Sequence, residues 1–167
     1  MKLIVAAALV LISSLGTAQA FTNCVAQAEH KWNGMTIEAA SQGDTCSDAV
    51  LVLAVRDKAG KPVWVHAYIA SQLLSFTDQP ATDAKAMVSK LSGWISGEGF
   101  MQSADKLNVK AEFPFVLAQD GDAKNFDSYR KQKRPIFCFV QGMESGACLL
   151  QDKDGGIVEI GTQGFPG

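Results

Sequence analysis

The chain reads as an α+β protein: a mainly antiparallel sheet built from hairpins, with one principal amphipathic helix packed on it and disulfides fastening it. Three observations carry that reading. Short strand-like runs are joined by Asn/Asp/Gly turns. Residues 83–96 hold a single apolar stripe at helical spacing. Four cysteines follow an N-terminal segment that reads as an export signal. No βαβ alternation appears, which argues against a parallel sheet.

The export signal comes first in the chain. Met1-Lys2 gives a positive start, Leu3 to Ile12 is almost continuously apolar, and Ala18-Gln19-Ala20 forms the small-x-small pattern of a cleavage site. Residues 1–20 are therefore expected to be removed, leaving residues 21–167 as one domain of 147 residues in the periplasm or outside the cell. The apolar run is too short to span a bilayer, and no second run of sufficient length follows. No transmembrane segment is expected.

Next comes a hairpin. Asn33-Gly34 lies between Val25–Trp32 and Met35–Ala40, and such a dipeptide suits a turn whose two central residues need positive φ. A short helix over residues 22–30 competes with this reading. Ala49–Val55, AVLVLAV, is apolar throughout, as expected of a strand covered on both faces. A turn at Asp57–Lys61 returns the chain along Pro62–Ile69.

The helix spans residues 83–96. Ala84, Met87, Val88, Leu91, Trp94 and Ile95 make its apolar stripe, with Thr82 placed to cap its start and Gly97 its end. Leu107, Val109, Ala111, Phe113 and Phe115 alternate with polar residues, which predicts a half-buried strand, and Pro114 puts its end at an edge or bulge. Residues 125–133 suggest a short helix. Strands at 135–141, 147–151 and 157–161 complete the series, the last two joined by Asp152-Lys153-Asp154-Gly155-Gly156.

Cys24, Cys46, Cys138 and Cys148 are separated by 21, 91 and 9 residues, with no C-x-x-C. Zinc-knuckle and thioredoxin-like spacings are both absent. Positions 138 and 148 are symmetric about Met143, so in a simple hairpin they face one another across the ladder. Cys24 then pairs with Cys46 by elimination.

Charge excludes some functions. The whole chain carries 15 Lys+Arg against 17 Asp+Glu; without Lys2 the mature part has 14 against 17, a net charge of −3. Nothing in this balance draws the protein to nucleic acid or to an anionic membrane. No P-loop, dinucleotide fingerprint or H-E-x-x-H occurs, so neither cofactor nor metal is expected. Asp120-Gly121-Asp122 and Asp152–Gly155 lack the later ligands of a calcium loop and read as turns. Gly93–Gly97 has the residue types of a nucleophile elbow at the wrong spacing. It reads as the end of a helix.

Two features remain as candidate binding sites. Trp64, His66 and Tyr68 alternate along one strand and so share a face, an aromatic platform suited to a sugar ring or a protein partner. The same strand's other face, Val63, Val65 and Ala67, is apolar enough that both faces are expected to be partly covered. Tyr129, Arg130, Lys131, Lys133 and Arg134 form a local basic cluster that could meet an anionic ligand, or could be a solvated helix end. The leading expectation is a non-catalytic module that binds an envelope macromolecule or glycan. The alternative is a cell-envelope hydrolase using scattered carboxylates such as Glu38, Glu112 or Glu159.

Overall fold

The computed structural model describes residues 24–96, 101–107, 109–118 and 123–165. Residues 1–20, Gly97 and Asp120–Asp122 lie outside these, so the export signal, the glycine end of the helix and the first acidic turn are not described further.

The fold is α+β with two antiparallel sheets. In chain order the elements are β1 (Ala26–Trp32), β2 (Met35–Gln42), β3 (Val50–Arg56), β4 (Pro62–Ile69), α1 (Leu74–Thr77), α2 (Ala84–Ser96), β5 (Met101–Ser103), β6 (Phe115–Leu117), α3 (Ala123–Lys131), β7 (Pro135–Val140), β8 (Ser145–Gln151) and β9 (Ile157–Gly164). The first sheet runs in the order β1-β2-β3-β4 and the second in the order β5-β7-β8-β9-β6.

Local chemistry accounts for the first sheet. Asn33 and Gly34 take φ of 49° and 79°, the turn that dipeptide favours, and Trp32 pairs with Met35 across it. Residues 24–30 are thus extended, and the helical alternative is excluded. At the next turn Asp57 Oδ1 accepts the amides of Ala59 (2.8 Å) and Lys61 (2.9 Å), while Gly60 supplies a φ of 81°. Asp152 repeats the device between β8 and β9. Its Oδ1 accepts the amides of Asp154 (2.9 Å) and Gly156 (2.8 Å), with Gly155 at φ 85°. The carboxylates of Asp57 and Asp152 therefore serve their own turns.

α2 begins one residue later than the predicted span of 83–96, and its cap differs from expectation. Asp83, not Thr82, fills that position, its Oδ1 accepting the amide of Ala86 at 2.8 Å. At the other end Ser96 Oγ donates to the carbonyl of Ser92 at 2.5 Å. That serine is spent on the helix.

Two cores follow from the layering. The inner face of the first sheet (Ile37, Leu51, Leu53 and Val55) packs with Met87, Leu91, Trp94 and Ile95 of α2 and with Phe137, Phe139 and Leu149 of the second sheet. The opposite face of the second sheet carries Ile136, Cys138, Cys148, Leu150 and Ile160 against Leu107, Phe115 and Phe126. β7 and β8 are consequently buried on both sides. β3 is not: Val50 is 47% exposed and Val52 37% on the outer face of the first sheet, where only Ala54, beside the Glu38–Arg56 pair, is buried among the residues of β3. Two-sided burial belongs to IFCFV, not to AVLVLAV.

The predicted strand over 107–115 is also corrected. Residues 109–113 turn and bend, and Val109 and Phe113 are each 40% exposed instead of sharing a buried face with Leu107. Among the described residues no strand pairs with 109–113. Pro114 has no amide to donate, and pairing begins just beyond it, where the three residues of β6 join β9 at the sheet edge.

Candidate binding face

Both disulfides join the expected partners: Cys24 to Cys46 and Cys138 to Cys148. Cys138 is registered directly opposite Cys148 in the β7–β8 ladder. Pairing with β3 holds β4 at one edge of the first sheet, where Trp64, His66 and Tyr68 emerge.

These three side chains do form one strip. The rings of Trp64 and His66 lie 5.9 Å apart and those of His66 and Tyr68 4.6 Å apart, both pairs stacked with interplanar angles of 25°. β4 alternates its side chains, so every second residue faces the same way. Behind the strip, Phe139 meets Trp64 edge-on at 5.8 Å and Tyr68 at 6.0 Å, and Trp94 meets Tyr68 at 5.7 Å. Trp94 is itself fixed by donating Nε1–H to the carbonyl of Val140 at 2.8 Å. Trp64 and Tyr68 are thus half-buried and positioned from below, while His66 is exposed.

A fourth residue joins them from the second sheet. Glu159 of β9 is opposite Leu149, which belongs to the core between the sheets, so Glu159 faces the first sheet. Partial burial raises the Tyr68 hydroxyl above the ordinary tyrosine value, and the negative charge of Glu159 raises it further. The phenol therefore stays protonated, able to donate and to accept. Sequence reasoning separated Glu159 from the strip, and no local pattern links β9 to β4. Only the sheet packing does.

The other face of β4 was expected to be partly covered. It is open: Val65 is 56% exposed and Ala67 is exposed, with only Val63 half-buried. Among the described residues no helix or strand packs over that side of β4.

The basic cluster is largely absorbed into a helix end. Lys133 takes φ 51°, its amide bonds to the carbonyl of Arg130 at 3.0 Å, and the Arg134 amide bonds to that of Tyr129 at 3.1 Å, the paired bonds of a Schellman ending. The Arg134 guanidinium lies 5.4 Å from the centre of the Tyr129 ring and also donates to the carbonyl of Gln151. That of Arg130 lies 5.8 Å from the centre of the Phe126 ring. Lys131 and Lys133 are the exposed cations of the set.

The candidate carboxylates do not gather. Glu38 is bound by Arg56, Nε to Oε2 at 2.5 Å, and shares the outer face of the first sheet with Ala54. Glu159 lies on the other side of that sheet, and Glu112 sits on the exposed bend before β6. Among the described residues no group of three or more His, Cys, Asp or Glu could hold a metal ion, and no helix is long and apolar enough to cross a membrane.

Fold and face together define a disulfide-bonded α+β protein with an aromatic strip at a sheet edge. Compared with known protein families, with curated proteins and with solved structures, the chain finds no match.

Proposed function

We propose that the protein is an exported, non-catalytic binding module whose Trp64–His66–Tyr68 strip takes a glycan of the cell envelope. The observation that carries this reading is the stacked ladder itself: three rings in one row, fixed from behind, with the middle one open to solvent. A row of stacked rings offers an apolar ridge against which the C–H groups of a pyranose can pack by dispersion and desolvation. Glu159 and the protonated Tyr68 hydroxyl supply the acceptor and donor that orient sugar hydroxyls. The two disulfides suit a chain that folds in an oxidising compartment.

The hydrolase alternative gains no such support, since Glu38 is held by Arg56 on the far side of the sheet from Glu159. The cluster at Tyr129–Arg134 is the weaker binding candidate, because both of its arginines already have ring partners.

The test is titration of the oxidised protein with soluble peptidoglycan and polysaccharide fragments, read by tryptophan fluorescence and calorimetry. Saturable binding that Trp64→Ala weakens by at least about tenfold, the equivalent of ~1.4 kcal/mol, supports the reading. Binding unchanged in both Trp64→Ala and Glu159→Gln, or no binding to any glycan class, overturns it.

A further inference from the structure

The two sheets have four edge strands, and three are protected. β5 and β6 are three residues long, and β1 carries exposed Glu29 and Lys31. Short length and charge are the usual means of preventing edge-to-edge pairing. β4 has neither. It is eight residues long, PVWVHAYI, with no Asp, Glu, Lys or Arg, and among the described residues β3 is its only strand partner.

The register shows which backbone groups are unused. The amide of Ala70 bonds to the carbonyl of Ala49 at 3.0 Å, and hydrogen-bonded and non-hydrogen-bonded pairs alternate along an antiparallel ladder. With Val50 opposite Ile69 and Leu51 opposite Tyr68, the backbones of Tyr68 and His66 point to β3. Those of Val65, Ala67 and Ile69 point away from it. All three of these residues are exposed.

We infer that β4 pairs antiparallel with β4 of a second copy of this chain, joining two four-stranded sheets across a two-fold axis. A strand of this kind meets its own copy without opposing like charges in any register, because it carries no acidic, lysine or arginine residue. β1 would not, since Glu29 and Lys31 would be brought against their own kind in some registers. The apolar outer side chains, Val65 at 56% exposure and Ile69 at 41%, would be covered in the same step. This inference goes beyond the glycan reading and does not depend on it, because edge pairing uses main-chain groups and leaves the aromatic face open.

Sedimentation velocity of the oxidised protein from about 1 µM to about 500 µM tests the inference. The expected result is a monomer–dimer equilibrium, with amide exchange at Val65, Ala67 and Ile69 slowing as concentration rises. Ala67→Pro removes an outward amide while leaving the β3 ladder intact, and should raise the dissociation constant at least about tenfold. Val65→Lys should do the same by placing charges near the axis, and it reads the edge if the proline variant misfolds. Val52→Lys, on the outer face of interior strand β3, should leave the equilibrium unchanged. A monomer at every concentration, or a dimer that survives Val65→Lys and Ala67→Pro, overturns the inference.

Discussion

Cys138 and Cys148 stand directly opposite each other in the β7–β8 ladder, with Cα atoms 4.0 Å apart, and both are buried beneath Phe115 and Phe126. The bond therefore closes a hairpin whose strands are paired residue for residue on either side of it, Phe137 with Leu149 and Phe139 with Ala147. Its contribution is to narrow the unfolded ensemble and to fix register in the strands separating the two cores.

Replacing both cysteines, Cys138→Ala with Cys148→Ala, should lower unfolding free energy by about 2–4 kcal/mol, the range for loss of a native disulfide together with buried sulfur. Urea denaturation of the oxidised double variant against wild type measures this. An unchanged midpoint would show that the bond is redundant.

Gly161 fixes the approach of β6 to β9. It takes φ 150°, and a Cβ there would lie 2.2 Å from the Val116 carbonyl oxygen and 2.7 Å from Phe115 Cζ. The obstructing atoms are backbone and a buried ring, so neither can move aside cheaply. Gly161→Ala should cost upwards of about 2 kcal/mol, combining strain with overpacking. Loss of exchange protection should begin at Val116 and Leu117. Protection equal to wild type would contradict this account.

What could be read from the sequence follows the range of the forces involved. Asn33-Gly34, Asp57–Gly60 and Asp152–Gly155 carry their turn geometry within four or five residues, so the hairpins they close were legible. The α2 stripe was legible for the same reason. Cys138 and Cys148 were legible because a hairpin converts symmetry in sequence into opposition in space. What failed depended on distant partners. AVLVLAV and IFCFV are both wholly apolar, and only the presence of Phe126 and Phe115 over one of them decides which is covered twice. The short strands Met101–Ser103 and Phe115–Leu117 take their bounds from pairing with β7 and β9, partners far away in sequence. In the candidate site, Trp64, His66 and Tyr68 were legible from period two, whereas Glu159 reaches them only through packing of one sheet on the other.

Lys133 ends α3 in a left-handed conformation, φ 51°, at a position helices usually give to glycine. A side chain there costs roughly 1 kcal/mol. Lys133→Gly should therefore raise stability by a few tenths to about 1 kcal/mol, part of the relief being lost to the greater entropy of unfolded glycine. Lys133→Val, β-branched at the same angle, should destabilise. The pair of melting temperatures checks the argument, and a Gly variant less stable than wild type would refute it.

Tyr68 makes stability fall in alkali. Burial between Trp94 and Phe139, with the Glu159 charge added, raises its hydroxyl above the value near 10 at which an unfolded tyrosine titrates. Below that value both states hold the proton, and the stabilising contribution is fully present. Above it the unfolded chain releases the proton while the folded protein retains it, so the contribution is lost as pH rises toward the folded value. Urea midpoints between about pH 9 and pH 12 should therefore fall more steeply for wild type than for Tyr68→Phe, which has no proton to lose. Glu159→Gln should lessen the slope without abolishing it, because burial is the larger cause. Parallel curves for wild type and Tyr68→Phe would mean that the phenol is as well solvated in the folded protein as in the unfolded chain.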